Sequence, residues 1–85
     1  MSVVINTHSL PLSDFRLGQK GLIAQYTNER IAGKLIAMGA LPGQKLQLVR
    51  TAPFGGALYV KNGKYIIALR KEEAACIIMS NEKND

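Results

Sequence analysis

Met38-Gly39-Ala40-Leu41-Pro42-Gly43 closes an amphipathic helix, turns the backbone sharply and opens a strand, all within one short stretch. Upstream of it, Ile31, Leu35 and Met38 recur at i, i+4 and i+7, with Ala32 and Ile36 beside them, while Glu29, Arg30, Gly33 and Lys34 take the opposite arc. That spacing predicts one buried and one solvated face. Gly39 sits where a helix terminus wants a left-handed residue, and Pro42 follows where the helix cannot continue. Gln44 to Thr51 then alternates as a strand does.

Working outward, 85 residues make one small domain with a core only just large enough to hold it folded. Hydrophobic residues are 47% of the chain and charged ones 20%, a globular rather than a disordered composition. The expected domain runs from Leu10 to Met79, with residues 1–9 and 80–85 as flexible tails. Cys76, the single cysteine, cannot form an internal disulfide, so a reducing cytoplasmic setting is expected. The longest apolar run, Ala74 to Met79, is far short of the roughly 20 residues that span a bilayer. Nor does any basic residue precede Arg16, as a secretory signal would require.

Between these limits, Leu10 to Phe15 reads as a short turn capped by Ser13 or Asp14, ended by Gly18. Gln19 to Tyr26 reads as the first strand, with Gly21 the expected site of a bulge, because Leu22 and Ile23 leave its inward face ambiguous. Thr27 or Asn28 caps the helix. Pro53-Phe54-Gly55-Gly56 is a loop whose glycines would take positive φ.

Asn62-Gly63 reads as a two-residue type I′ turn joining two strands, Ala57 to Lys61 and Lys64 to Leu69. This register sets Lys61 opposite Lys64, Val60 opposite Tyr65, Tyr59 opposite Ile66 and Leu58 opposite Ile67. Leu58, Val60, Tyr65 and Ile67 would then share the core face, leaving Tyr59 and Ile66 as an apolar spot outside. Lys71 to Ala75 gives one helical turn and Cys76 to Met79 a last strand. The fold class is mainly β: a small barrel of about five strands, with one helix between the first and second.

Taken together, Gly18, the helix running into Met38-Gly39-Ala40-Leu41-Pro42-Gly43, Ala52-Pro53-Phe54-Gly55-Gly56, Ile67-Ala68-Leu69-Arg70 and Glu73-Ala74 resemble the FeoA family, in order and at compatible spacing. The resemblance implies an SH3-like, partly open barrel. It further implies a cytoplasmic accessory protein of bacterial ferrous iron uptake, recruited to the inner membrane face by FeoB, a membrane protein with a cytosolic GTPase domain. The same fold serves as the C-terminal domain of metal-dependent repressors, so fold alone leaves the role open.

A search for chemistry in the residues themselves finds little. An iron site wants converging His, carboxylate or Cys ligands, and the chain offers one histidine, His8, in the expected N-terminal tail. Cys76 sits between Ala75 and Ile77 with no base paired to it in sequence. Gly55-Gly56 lacks the spaced glycines and following Lys-Ser or Lys-Thr of a phosphate loop. No catalytic residue, metal site or cofactor is therefore expected.

What remains is surface. A net charge of +5 suits an acidic or phosphate-bearing partner, or an anionic membrane face. Arg30 and Lys34 form a small basic patch on the polar side of the helix. Lys61 and Lys64 flank the hairpin turn, where they guard against edge pairing. Phe54 either projects as an anchor for a partner or folds back over the barrel end. Arg70 is placed to hold a carboxylate, a partner's or that of Glu72 or Glu73. The candidate partner-binding residues are thus Arg30, Lys34, Phe54, Tyr59, Ile66 and Arg70, with FeoB the expected partner and self-association an alternative cover for the Tyr59 and Ile66 face. Nucleic-acid binding is the rival reading. Against it, the basic residues are dispersed, and three tyrosines and two phenylalanines with no tryptophan give few stacking platforms.

Overall fold

The computed structural model describes residues 9–81, and the expectations placed on His8 and on the outermost tail residues fall outside that range. Six strands are formed: β1 (Ser9–Pro11), β2 (Lys20–Tyr26), β3 (Lys45–Thr51), β4 (Ala57–Asn62), β5 (Tyr65–Arg70) and β6 (Ile77–Asn81). Two helices, α1 (Glu29–Ala37) and α2 (Lys71–Ala74), and 3-10 turns at Leu12–Asp14 and Pro53–Gly55 connect them. The sequence pattern predicts about five strands, because Ser9–Pro11 is too short to show a period. With β1 added, α1 lies between the second and third strands.

All pairings are antiparallel, in the order β1-β6-β2-β3-β4-β5. The last strand therefore inserts between the first two. The edge strands β1 and β5 do not pair; instead α2 and the Leu12–Asp14 turn, which follow them, pack against each other. The mainly β sheet is thus a partly open barrel around one core. Ile23, Leu46, Leu48, Leu58, Val60, Ile67, Leu69, Ile77 and Met79 point inward from successive strands, and Leu12, Leu35 and Ala74 fill in from the turns and helices.

The helix start and stop follow the expected chemistry. Asn28 is the cap, its Oδ1 accepting from the N–H groups of Arg30 at 2.9 Å and Ile31 at 3.1 Å. At the other end Gly39 takes φ +92°, Ala40 N–H donates to Leu35 O and Gly39 N–H to Ile36 O, the paired bonds of a Schellman motif. The hydroxyl of Tyr26 donates to the Ala40 carbonyl and ties this turn to β2. The apolar stripe is narrower than the spacing predicts: Leu35 is buried and Ile31 half-buried, but Met38 is 46% exposed. Met38 is the C-cap, and the turn at Gly39 carries the chain away before its side chain can reach the core.

Three local expectations are corrected. No side-chain oxygen from Ser13 or Asp14 caps the Leu12–Asp14 turn; Phe15 N–H closes it on Leu12 O. Gly21 is not the bulge, which lies at Ala24, between the Ile23 and Gln25 pairings. Gly21 is instead a point of close approach, where an added Cβ would lie 2.7 Å from Ser80 O and 2.8 Å from Phe15 Cζ. The β4-β5 turn is centred on Gly63-Lys64, not Asn62-Gly63. Only Gly63 takes positive φ (63°), as a type II′ turn requires, so Asn62 stays in the ladder opposite Tyr65. Its side chain donates to Gly39 O at 3.3 Å, latching the hairpin to the end of α1. The shift pairs Val60 with Ile67 and Leu58 with Leu69. Tyr65 keeps its face but lies beyond the core at the hairpin tip, 73% exposed, and Leu69 takes its place inside.

Candidate interaction surface

Around the joint between α1 and α2, Lys34 Nζ lies 2.5 Å from Glu73 Oε2, while Glu73 Oε1 accepts from the Arg70 backbone N–H at 2.9 Å. These two bonds, the Lys34 ammonium first and the Arg70 amide second, hold the Glu73 carboxyl below its ordinary range. Lys34 is thereby committed to a structural ion pair. The Arg70 hydrogen bond to Glu73 runs through its main chain; the residue is exposed, and its charge adds to the lowering of the Glu73 carboxyl pKa. Arg30 stands one turn before Lys34 on the same exposed arc.

On the outer face of the β4-β5 hairpin, Tyr59 stands opposite Ala68 rather than Ile66, and Ile66 opposite Lys61. Tyr59 and Ile66 are diagonal neighbours, with Arg70 two residues along from Ala68 on the same face. Tyr59 is half-buried under Arg50, whose guanidinium carbon lies 4.7 Å from the ring centroid. Ile66 is 55% exposed. Phe54, in the loop leading into β4, projects fully into solvent, so the alternative of folding back over the barrel end is not realised. It holds φ +64°, beside Gly55 at +69°; Gly56 has an ordinary negative φ. A bulky aromatic in the left-handed region is uncommon. Arg30 and Lys34 thus form one patch, and Tyr59, Ile66 and Arg70 another.

Cys76 is a free, half-buried thiol with Sγ 3.6 Å from the Glu72 carbonyl. Among the described residues no group of three or more His, Cys, Asp or Glu side chains converges as metal ligands. No helix among them is long and apolar enough to cross a membrane.

Residues 10–81 match the FeoA domain family. The chain belongs to the FeoA family. This links it to ferrous iron transport. Among solved structures, the iron(II) transport protein A of Clostridium thermocellum is 31% identical, with a TM-score of 0.79 over 86% of this chain and 46% of that one. FeoA of Stenotrophomonas maltophilia, crystallised with zinc and described as a prokaryotic SH3 domain protein, is 28% identical, with a TM-score of 0.72 over 84% of this chain and 89% of that one. A manganese-dependent transcriptional repressor shares the fold at 17% identity, with a TM-score of 0.77 over 86% of this chain and 41% of the repressor. The SH3-like barrel implied by the sequence resemblance is therefore the fold of this FeoA domain.

One feature of the FeoA surface escaped the sequence reading. Lys20, Lys45 and Lys61, from three different strands, line a shallow concavity of about 480 Å³ together with Gln44, Gln47 and Asn62. Lys20 stands opposite Gln47, and Gln47 opposite Lys61. Along the chain these lysines are dispersed; only the β2-β3-β4 register, set by Gly21 opposite Leu46 and Leu48 opposite Val60, brings them together.

Proposed function

We propose that this FeoA domain is a non-enzymatic accessory module that docks on FeoB from the cytoplasmic side and tunes ferrous iron uptake. The observation that carries this reading is Phe54. An aromatic side chain wholly in solvent, on a backbone conformation that costs a non-glycine residue roughly 1–2 kcal/mol, gains nothing for the isolated fold. Burial in a partner would give it a use, since interface energy concentrates in a few such anchors. The outer face carrying Tyr59 and Ile66, and Arg30 on α1, supply further contact surface. Ferrous iron is the cargo of the partner in this reading.

The test is a titration of detergent-solubilised FeoB with purified protein at low and high salt, with duplex DNA and single-stranded RNA alongside. Saturable FeoB binding that survives high salt supports the reading. If the combined Phe54→Ala, Tyr59→Ala and Arg30→Glu variant binds FeoB as well as the unmodified chain, the proposed surface is wrong. Tight nucleic-acid binding that falls steeply with salt, without FeoB binding, would replace the function altogether.

A further inference from the structure

The basic concavity does not stand alone. It shares Gln44, Asn62 and Gly63 with a second hollow of about 410 Å³, walled by the exposed side chains of Met38 and Tyr65. The result is one groove across the β4-β5 turn, cationic on the sheet side, with Met38 and Tyr65 giving apolar walls beside Lys64 on the other. Among the described residues its charge is one-sided, because no carboxylate of theirs lines either hollow. From Arg30 to Lys71 the sequence holds lysines and arginines but no aspartate or glutamate, so β3, β4 and β5 supply only positive charge. With Gln47 between them, Lys20 and Lys61 are two strands apart, roughly 10 Å, a span that admits an extended peptide.

We infer that this groove is the docking site for an acidic segment of a partner protein, one that carries an apolar side chain beside its carboxylates. The inference rests on the accessory-module reading in that a partner protein supplies the segment. Carboxylates would lie against Lys20 and Lys61, and the apolar side chain against Met38 and Tyr65. At the junction of the two hollows Gln44 Oε1 accepts from Leu41 N–H and Asn62 Nδ2 donates to Gly39 O, which leaves Gln44 Nε2 and Asn62 Oδ1 to meet the segment's backbone. A nucleic acid presents repeating phosphates and no aliphatic group to match the Met38 wall. A membrane presents a flat face that does not enter a concavity floored by Gln47.

The test uses the full chain, labelled with ¹⁵N, and four probes. These are a synthetic peptide of alternating Glu and Leu, its Gln-Leu counterpart, single-stranded RNA, and vesicles containing phosphatidylserine. The Glu-Leu peptide is expected to shift the amides of Lys20, Gln47, Lys61, Asn62 and Tyr65 saturably, and to bind about tenfold or more tightly than the Gln-Leu peptide. Lys20→Glu with Lys61→Glu is expected to remove most of that preference, and Tyr65→Ser to weaken both peptides. All three positions are exposed, and the milder Lys20→Gln with Lys61→Gln pair serves as a second variant. Equal binding of the two peptides, shifts confined to another face, or tighter binding of RNA or vesicles would overturn the inference. Both forms are then titrated against solubilised FeoB. FeoB binding that Lys20→Glu with Lys61→Glu leaves intact overturns the groove while the proposed function stands. No FeoB binding by the unmodified chain, with the peptide preference present, overturns the function while the groove stands.

Discussion

At Glu73 one carboxylate oxygen takes the Lys34 ammonium and the other the Arg70 backbone N–H, so a single side chain fastens α1 and the start of α2 together. Its pKa is depressed in the folded state, so its contribution is complete above the ordinary glutamate value of 4.5 and is lost as pH falls through the lower folded value. Glu73→Gln keeps an acceptor for Arg70 but loses the ion pair. Because the Lys34 side chain is half exposed, the expected cost at neutral pH is only about 0.5–1 kcal/mol, shrinking in high salt, and the variant should lose less stability below pH 4.5 than the unmodified chain. Urea titrations at pH 7 and pH 4 would measure both. Tyr26 behaves oppositely: burial raises its phenol above the ordinary value while it donates to Ala40 O. Tyr26→Phe should cost about 0.5–1.5 kcal/mol, and that difference should vanish as alkaline pH rises through the raised folded pKa. Phe54→Gly removes an exposed side chain and suits the left-handed backbone, with the glycine's greater unfolded-state freedom offsetting the relief. Thermal melts should therefore show unchanged stability while FeoB affinity falls; a large loss of stability would make Phe54 a structural residue.

Between β2 and β6 the constraint is space. Gly21 has no positive φ, so its reason for being glycine is the Ser80 carbonyl and the Phe15 ring, each closer than 3 Å to any Cβ built there. Ser80 O belongs to a ladder strand and cannot withdraw, so Gly21→Ala is expected to destabilise by about 1–3 kcal/mol, read from the denaturation midpoint. Gly39→Ala meets no atom and suffers only from φ +92°, so it should cost roughly 1 kcal/mol. These elements also mark where sequence reading stops. The α1 cap was legible to within Thr27 or Asn28, and the left-handed turn at Gly39 outright, because their chemistry is local. The hairpin was legible as a hairpin but not in register, because Gly63 satisfies a type I′ turn after Asn62 or a type II′ turn before Lys64. What selects the second is distant: Leu69 enters the core in place of Tyr65, and Asn62 reaches Gly39 O. Likewise Gly21 looked like a bulge because Leu22 and Ile23 leave the inward face ambiguous, while the Ser80 carbonyl that crowds it comes from a strand at the other end of the chain.

For the molecule as a whole, the candidate site divides along the same line. Phe54 was readable as a loop residue between Pro53 and Gly55, with its direction left open, whereas the Lys20, Lys45 and Lys61 groove exists only once β2, β3 and β4 are in register. That register depends in turn on the end of the chain. β6 is the penultimate strand of the sheet in space, lying between β1 and β2 with ladder bonds to both, although it is last in sequence. Ile77 and Met79 are fully buried, each contributing roughly 1.5–3 kcal/mol, and without β6 neither β1 nor that edge of β2 has a partner. A domain of this size has on the order of 5–10 kcal/mol of stability in total. Ending the chain at Ala75 is therefore expected to abolish the cooperative unfolding transition rather than lower its midpoint, with collapse of NMR amide dispersion across β2 to β5 as well as near the cut. Dispersion retained in β3, β4 and β5 would show instead that the hairpins fold as an independent unit. In that case Lys45 and Lys61 would keep their places after truncation, but the groove and its acidic peptide binding would be lost with Lys20 unless β2 also held its register on β3.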